Sequence, residues 1–147
     1  MSLISPADHQ KLREAFAEMK RPVRLLFFTQ TLGCATCPQT RQIVDELPPL
    51  SDKISIEEIN LILDAEKAKA YGIDRAPSIA LLEQGDGGAE RDSRIRFVGA
   101  PAGYEFISLV QAVLLVGGAE SALSDASRQR LAAVDKPIVM QVFTTPT

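Results

Sequence analysis

The chain has 147 residues, 46% of them hydrophobic and 24% charged, with a net charge of −3 and two cysteines. That length fits one ordinary domain with a short appendage and buries a core without structural disulfides, and no window approaches the roughly 18 uninterrupted apolar residues of a membrane helix. The charges are interspersed and offer no basic stripe for nucleic acid; Asp8 and Glu14 stand where a secretory signal would place a basic segment and an apolar core, so neither a nucleic-acid nor a membrane partner is expected and the expected compartment is the cytoplasm.

Ser5-Pro6-Ala7-Asp8 predicts a helix start, with Ser5 as N-cap, Pro6 at the first helical position and Asp8 placed to reach back to the cap. Leu12, Ala15, Phe16 and Met19 share one helical face, so the first helix is expected over about 6–20. Pro22 precedes Val23-Arg24-Leu25-Leu26-Phe27-Phe28-Thr29, whose near-continuous apolar run suits a central strand buried on both faces. A loop from Gln30 to Gly33 leads to Cys34-Ala35-Thr36-Cys37-Pro38, and a helix is expected from that pair until Pro48-Pro49 ends it. Ile54 to Ile59 alternates as a strand, and Asp64 to Tyr71 reads as a short helix closed by Gly72. Strand, helix, strand, helix argues for an α/β layer with parallel pairing among the first strands. Ser78 to Glu83 is the third expected strand, Asp86-Gly87-Gly88 a turn, and Ile95 to Val98 a fourth strand returning as a hairpin. Tyr104 to Val116 is the last helix of this unit, stopped at Gly117-Gly118. Residues 1–118 thus predict a four-stranded mixed sheet flanked by helices, with one extra helix in front.

Residues 119–147 form a second region. Glu120 to Val134 contains a linker helix with Ser124 as its cap. Beyond it, Lys136-Pro137-Ile138-Val139-Met140-Gln141-Val142-Phe143-Thr144 repeats the basic residue, proline, apolar run and closing Phe-Thr of residues 21–29. The segment 137–143 is therefore expected to be the first strand of a second, truncated copy of the domain; the alternative is an additional edge strand on this one.

The chemistry lies in the two cysteines. At the start of a helix the first sulfur of a C-x-x-C pair sits near unpaired backbone N–H groups and the positive end of the helix dipole, which favours its thiolate. The thiolate is the attacking species in exchange, so Cys34 is the candidate nucleophile and Cys37, one turn further in, the resolving cysteine. Pro38 removes one backbone donor and helps to fix the turn. Half of a zinc site is the alternative, but His9 is the one remaining soft ligand and lies far off in sequence; no metal is expected. The cofactor is the Cys34–Cys37 disulfide itself, with no other.

The C-x-x-C-P at the end of the first strand and Arg75-Ala76-Pro77-Ser78 before the third resemble the thioredoxin/glutaredoxin fold family. Phe97-Val98-Gly99-Ala100-Pro101-Ala102-Gly103-Tyr104-Glu105-Phe106 and Val142-Phe143-Thr144-Thr145-Pro146-Thr147 narrow the resemblance to the glutaredoxin-like protein disulfide oxidoreductases, which carry two such units in tandem. The resemblance implies that Pro77 is a cis-proline facing the disulfide and that the backbone of Ala76 pairs with an extended substrate peptide. Arg75 and Arg41 are candidates for lowering the Cys34 pKa. It also implies protein disulfide substrates and a thiol reductant, glutathione or a thioredoxin-reductase-like donor. Two positions depart from thioredoxin itself: Phe28 stands where a buried Asp precedes the motif, and Gly33 where a Trp precedes the first cysteine. The proton acceptor assigned to that Asp is missing, which favours a glutaredoxin-like poise. In the tandem family the second unit often carries the principal activity, so a first unit can serve as relay or substrate platform.

His9 reads as a surface bystander, Asp64, Glu66, Lys67 and Lys69 as a solvated helix face, and Gly85 to Gly88 as a hairpin turn rather than a phosphate loop. Gly99 to Gly103 is either a plain turn or a border of the active-site groove. The expected function is protein thiol–disulfide exchange. Two rivals are a non-catalytic binding or dimerisation module using the groove beside Pro77, and a redox sensor whose disulfide alters assembly. A homodimer through the strand 137–143 belongs with the second.

Overall fold

The computed structural model describes residues 4–145, so the ends of the two expected regions, 1–3 and 146–147, lie outside the described residues. Helix α1 (Pro6–Ala17) opens on Ser5, whose Oγ accepts the Asp8 N–H and donates to the Asp8 carboxylate. It stops short of the expected residue 20 because the Lys20 and Arg21 amides turn to the carbonyl of Gly117, anchoring the approach to the first strand. Strand β1 (Val23–Thr29) is followed by α2 (Cys37–Asp45) and a single 3₁₀ turn, Pro48–Leu50, where the two prolines end the helix. Strand β2 (Ile54–Asn60), the short α3 (Ala65–Ala70), β3 (Ser78–Gln84), β4 (Glu90–Val98) and α4 (Tyr104–Val116) complete the packed unit.

The sheet order is β2-β1-β3-β4, with β1 parallel to β2 and antiparallel to β3, and β3 antiparallel to β4. β1 is central, and successive side chains go to opposite faces. Val23, Leu25 and Phe27 enter a large cluster with Phe16 of α1, Ile43 and Val44 of α2, and Leu109 and Val113 of α4. Leu26 and Phe28 enter a smaller one with Ile59, Ala80, Leu82 and Ala68 of α3. One face is thus covered by three helices and the other by a single short one. The rest of that second face is closed by ion pairs: Arg24 with Glu57 and Glu90, Lys67 with Glu57, and Arg96 with Asp92.

Two expectations are corrected. β4 begins at Glu90 rather than Ile95. Its first half, Glu90-Arg91-Asp92-Ser93-Arg94, has no apolar alternation because it is a charged edge strand, held by the ladder to β3 and by the Arg91–Glu83 pair. The ladder shifts register opposite Leu81, where Arg94 takes φ +65° and Ser93 Oγ donates to the Leu81 carbonyl at 2.7 Å. Second, the strand expected at 137–143 does not form among the described residues. Helix α5 (Asp125–Ala132), capped by Ser124, is present but buries no residue. The segment after it pairs with no strand and leaves Ile138, Val139, Met140, Val142 and Phe143 exposed. An apolar run becomes a strand only beside a neighbour that accepts its ladder, and neither edge of this sheet takes it.

Candidate active site around the cysteine pair

Four connections meet at the carboxyl end of β1. In the sheet register Thr29 faces Asn60, Phe28 faces Ser78, and Ser78 faces Val98. Because β2 and β4 run with β1 and β3 runs against it, the loops after β1, β2 and β4 and the turn before β3 all open there. Leu61 N–H donates to the Thr29 carbonyl at 2.8 Å and Gly99 N–H to the Pro77 carbonyl at 2.9 Å, tying these loops together. Ligands of open α/β sheets bind at such carboxyl ends.

The loop after β1 carries Cys34 and Cys37, which are joined as a disulfide with their Cα atoms 5.4 Å apart. Gly33 takes φ +74°, a backbone that side-chain-bearing residues rarely adopt, which gives the glycine in front of Cys34 a conformational reason. Cys34 lies before the helix in a half-buried position, whereas Cys37 is the first residue of α2 and is 4% exposed. The outer sulfur is therefore the one that another molecule can reach. The first turn of α2 offers amides with no helical acceptor next to it, with Pro38 in that turn contributing none. Thr40, wholly buried, braces the turn: its N–H and Oγ both reach the Thr36 carbonyl at 2.9 Å.

The turn before β3 opens at the same end of the sheet as this loop. The Ala76–Pro77 peptide bond is cis, Pro77 is buried and Ala76 half-buried. Among the described residues, no hydrogen bond engages the N–H or the carbonyl of Ala76. Half-exposed, that amide and carbonyl are open to solvent at the same end of the sheet as the cysteine loop.

The two arginines proposed as thiolate tuners are engaged elsewhere. Arg41 pairs with Glu58 and with Asp45, and Arg75 forms a fork on its neighbour Asp74 at 2.9 and 3.3 Å. That fork holds the Asp74 carboxyl below its ordinary range and raises Arg75 above its own. Neither guanidinium hydrogen-bonds a sulfur among the described residues, and each carries its own counter-charge. His9 lies 3.6 Å from the Glu46 carboxylate, away from the cysteines, on α1.

Several features were missed in the sequence. Leu32 and Leu63 are exposed at 83% and 82%, and Ile62 and Tyr104 are also open, on the loops and the helix start at this end of the sheet. Their signal is four large apolar side chains in loop or helix-start positions with no periodicity to bury them. Within the segment expected to be either a turn or a border of the active-site groove, Pro101, Ala102 and Gly103 line, with Gln39 and Ile43 of α2, a groove of about 320 Å³ whose lining includes neither cysteine nor Pro77.

No protein-family model matches the chain. A probable thioredoxin from Methanothermobacter marburgensis is 34% identical over 89 residues, 60% of this chain and 92% of that protein. Among solved structures, the NTD_N/C domain of alkylhydroperoxide reductase from Enterococcus faecalis superposes with a TM-score of 0.78 at 29% identity, over 90% of this chain and 62% of that one. A protein disulfide oxidoreductase from Aeropyrum pernix gives a TM-score of 0.71 at 27% identity, over 88% and 54%. The chain therefore spans less than two thirds of either solved relative.

Proposed function

The chain belongs to the thioredoxin family, and from that premise we propose that it is a protein thiol–disulfide oxidoreductase in which Cys34 attacks and Cys37 resolves. The carrying observation is the asymmetry of the pair: a reachable Cys34 ahead of the helix and a buried Cys37 within it. In the reduced protein the Cys34 thiolate attacks one sulfur of a substrate disulfide; a Cys34–substrate bond forms and the other substrate sulfur leaves as a thiolate that takes up a proton. Cys37, deprotonated, then attacks Cys34 Sγ, closes the disulfide seen here and releases the second substrate thiol. Two electrons pass from the cysteine pair to the substrate, and a thiol reductant restores the pair.

The Ala76 edge supports a polypeptide as the substrate, and the exposed Leu32, Ile62, Leu63 and Tyr104 at the same end of the sheet support apolar flanks around its disulfide. The donor fits a cytoplasmic thiol system, either glutathione or a thioredoxin-reductase-like protein; no described helix is long and apolar enough to cross a membrane. The exposed apolar residues of 137–143 support a strand whose neighbours come from a second unit of the same kind or from a second copy of the chain. Sedimentation of the full chain distinguishes these, since only pairing between copies produces a concentration-dependent dimer.

The test of exchange is equilibration in buffers of defined dithiol/disulfide ratio, read by alkylation mass shift. A reversible two-electron midpoint between roughly −270 and −120 mV, the span of known exchange catalysts, is expected, and Cys34→Ser abolishes turnover. A pair that stays oxidised or stays reduced across that whole span contradicts the assignment and leaves the groove as a binding module.

A further inference from the structure

We infer that Ser78 is a positioning residue for substrate: its hydroxyl holds the Arg75-Ala76-Pro77 turn so that the unpaired backbone of Ala76 is presented to a polypeptide disulfide. The inference rests on exchange at Cys34 and adds what sets the edge along which the substrate lies.

Ser78 is fully buried, in the company of Thr40 as the two buried polar side chains among the described residues. Strand alternation puts it on the same face of β3 as Ala80 and Leu82, and the register sets it directly opposite Phe28, all members of the smaller apolar cluster. A hydroxyl in such surroundings is unfavourable unless it is bonded. Its bond runs to the Arg75 carbonyl at 2.7 Å, three residues back, closing a ring around Ala76 and Pro77. From the far side Gly99 N–H holds the Pro77 carbonyl at 2.9 Å. The carbonyls on both sides of Ala76 are thereby fixed, while Ala76 itself is engaged by nothing among the described residues. Arg75 is exposed, and its side chain goes to Asp74 rather than into the fold, so the Ser78 hydroxyl is what ties that end of the turn to the sheet. Fixing the edge before substrate arrives removes an ordering cost from binding. It does nothing for a disulfide that has no backbone to lay along Ala76.

Two substrates with the same leaving group separate these effects: a synthetic extended peptide whose single cysteine is joined to thionitrobenzoate, and the thionitrobenzoate disulfide of mercaptoethanol. Both are mixed in excess over the reduced full-length chain, wild type and Ser78→Ala, and followed by release of the coloured thiol from the substrate in a single turnover. The expected result in this single turnover is a half-saturating peptide concentration raised about three- to tenfold, the effect of one neutral hydrogen bond, with the limiting rate unchanged and the rate with the mercaptoethanol disulfide unaltered. Equal losses on both substrates overturn the inference, because Ser78 then supports the cysteine pair or the fold in general. No change on either overturns it as well, while leaving exchange intact. A wild-type chain that releases thiol from neither substrate removes the exchange assignment itself, which Ser78→Ala cannot do.

Discussion

Val23–Thr29 and residues 138–144 carry nearly the same pattern, each after a basic residue and a proline and each closing on Phe-Thr, yet the first is the buried centre of the sheet and the second is exposed and pairs with no strand. The difference is the neighbours. β1 has β2 on one side and β3 on the other, and helices or ion pairs over both faces. The later segment has none of these, and its Phe143 is 90% exposed. A strand is thus a property of a pairing, and an apolar pattern records only the capacity for it.

Matched substitutions break this comparison most sharply. Phe28→Ala removes a fully buried ring from the smaller cluster and is expected to lower stability by about 3–5 kcal/mol, whereas Phe143→Ala, its counterpart in the repeat, stays within about 0.5 kcal/mol in the monomer. Urea unfolding curves of the two variants check it, and equal losses would show that the later segment is packed in solution. The next effect lies at the junction between the packed unit and the linker. A Cβ on Gly117 would meet Met19 Cε at 2.7 Å and the Val113 carbonyl at 3.1 Å, and the Gly117 carbonyl anchors Lys20 and Arg21 ahead of β1. Gly117→Ala is expected to cost about 1–3 kcal/mol by overpacking, seen in the same curves.

The smallest effect concerns acid. The Lys67 hydrogen bond holds the Glu57 carboxyl below its ordinary range, and the Arg96 hydrogen bond does the same for Asp92. Depressed carboxylates bind protons more readily in the unfolded chain, so their stabilisation is present above the unfolded pKa, about 4, and is lost as pH falls through the lower folded values. Asp92→Asn is expected to lower the plateau of thermal stability near neutrality slightly and to leave stability well below about pH 4 unchanged, so that the acid limb flattens. An unchanged acid limb would detach the Asp92–Arg96 pair from the stability of the thinly covered face.

Much of the packed unit was legible because its signals are local. β1 was recognisable from its run of apolar residues, α1 from Ser5 and Asp8, α4 from its bounding glycines, and the cysteine pair from being the only thiols at helix-start spacing. What escaped depends on residues brought together from a distance. Glu90 to Arg94 looks like a loop until β3 lies beside it. Arg41 looks available to a thiolate until β2 brings Glu58 to it, and Arg75 until its guanidinium turns to Asp74. The open backbone of Ala76 is visible only once the Arg75 and Pro77 carbonyls on either side of it find Ser78 and Gly99. For residues 137–143 the repeat of β1 predicts a strand without supplying its partners, and the segment stays unpaired with any strand of this sheet.

The central claim, that Cys34 attacks and Cys37 resolves, is tested most directly by trapping. Reduced Cys37→Ser and Cys34→Ser variants are mixed with the thionitrobenzoate-labelled peptide, and the products are read by intact mass. The account predicts a stable peptide adduct on Cys37→Ser, held through Cys34, and none on Cys34→Ser. An adduct on Cys34→Ser with none on Cys37→Ser would contradict it.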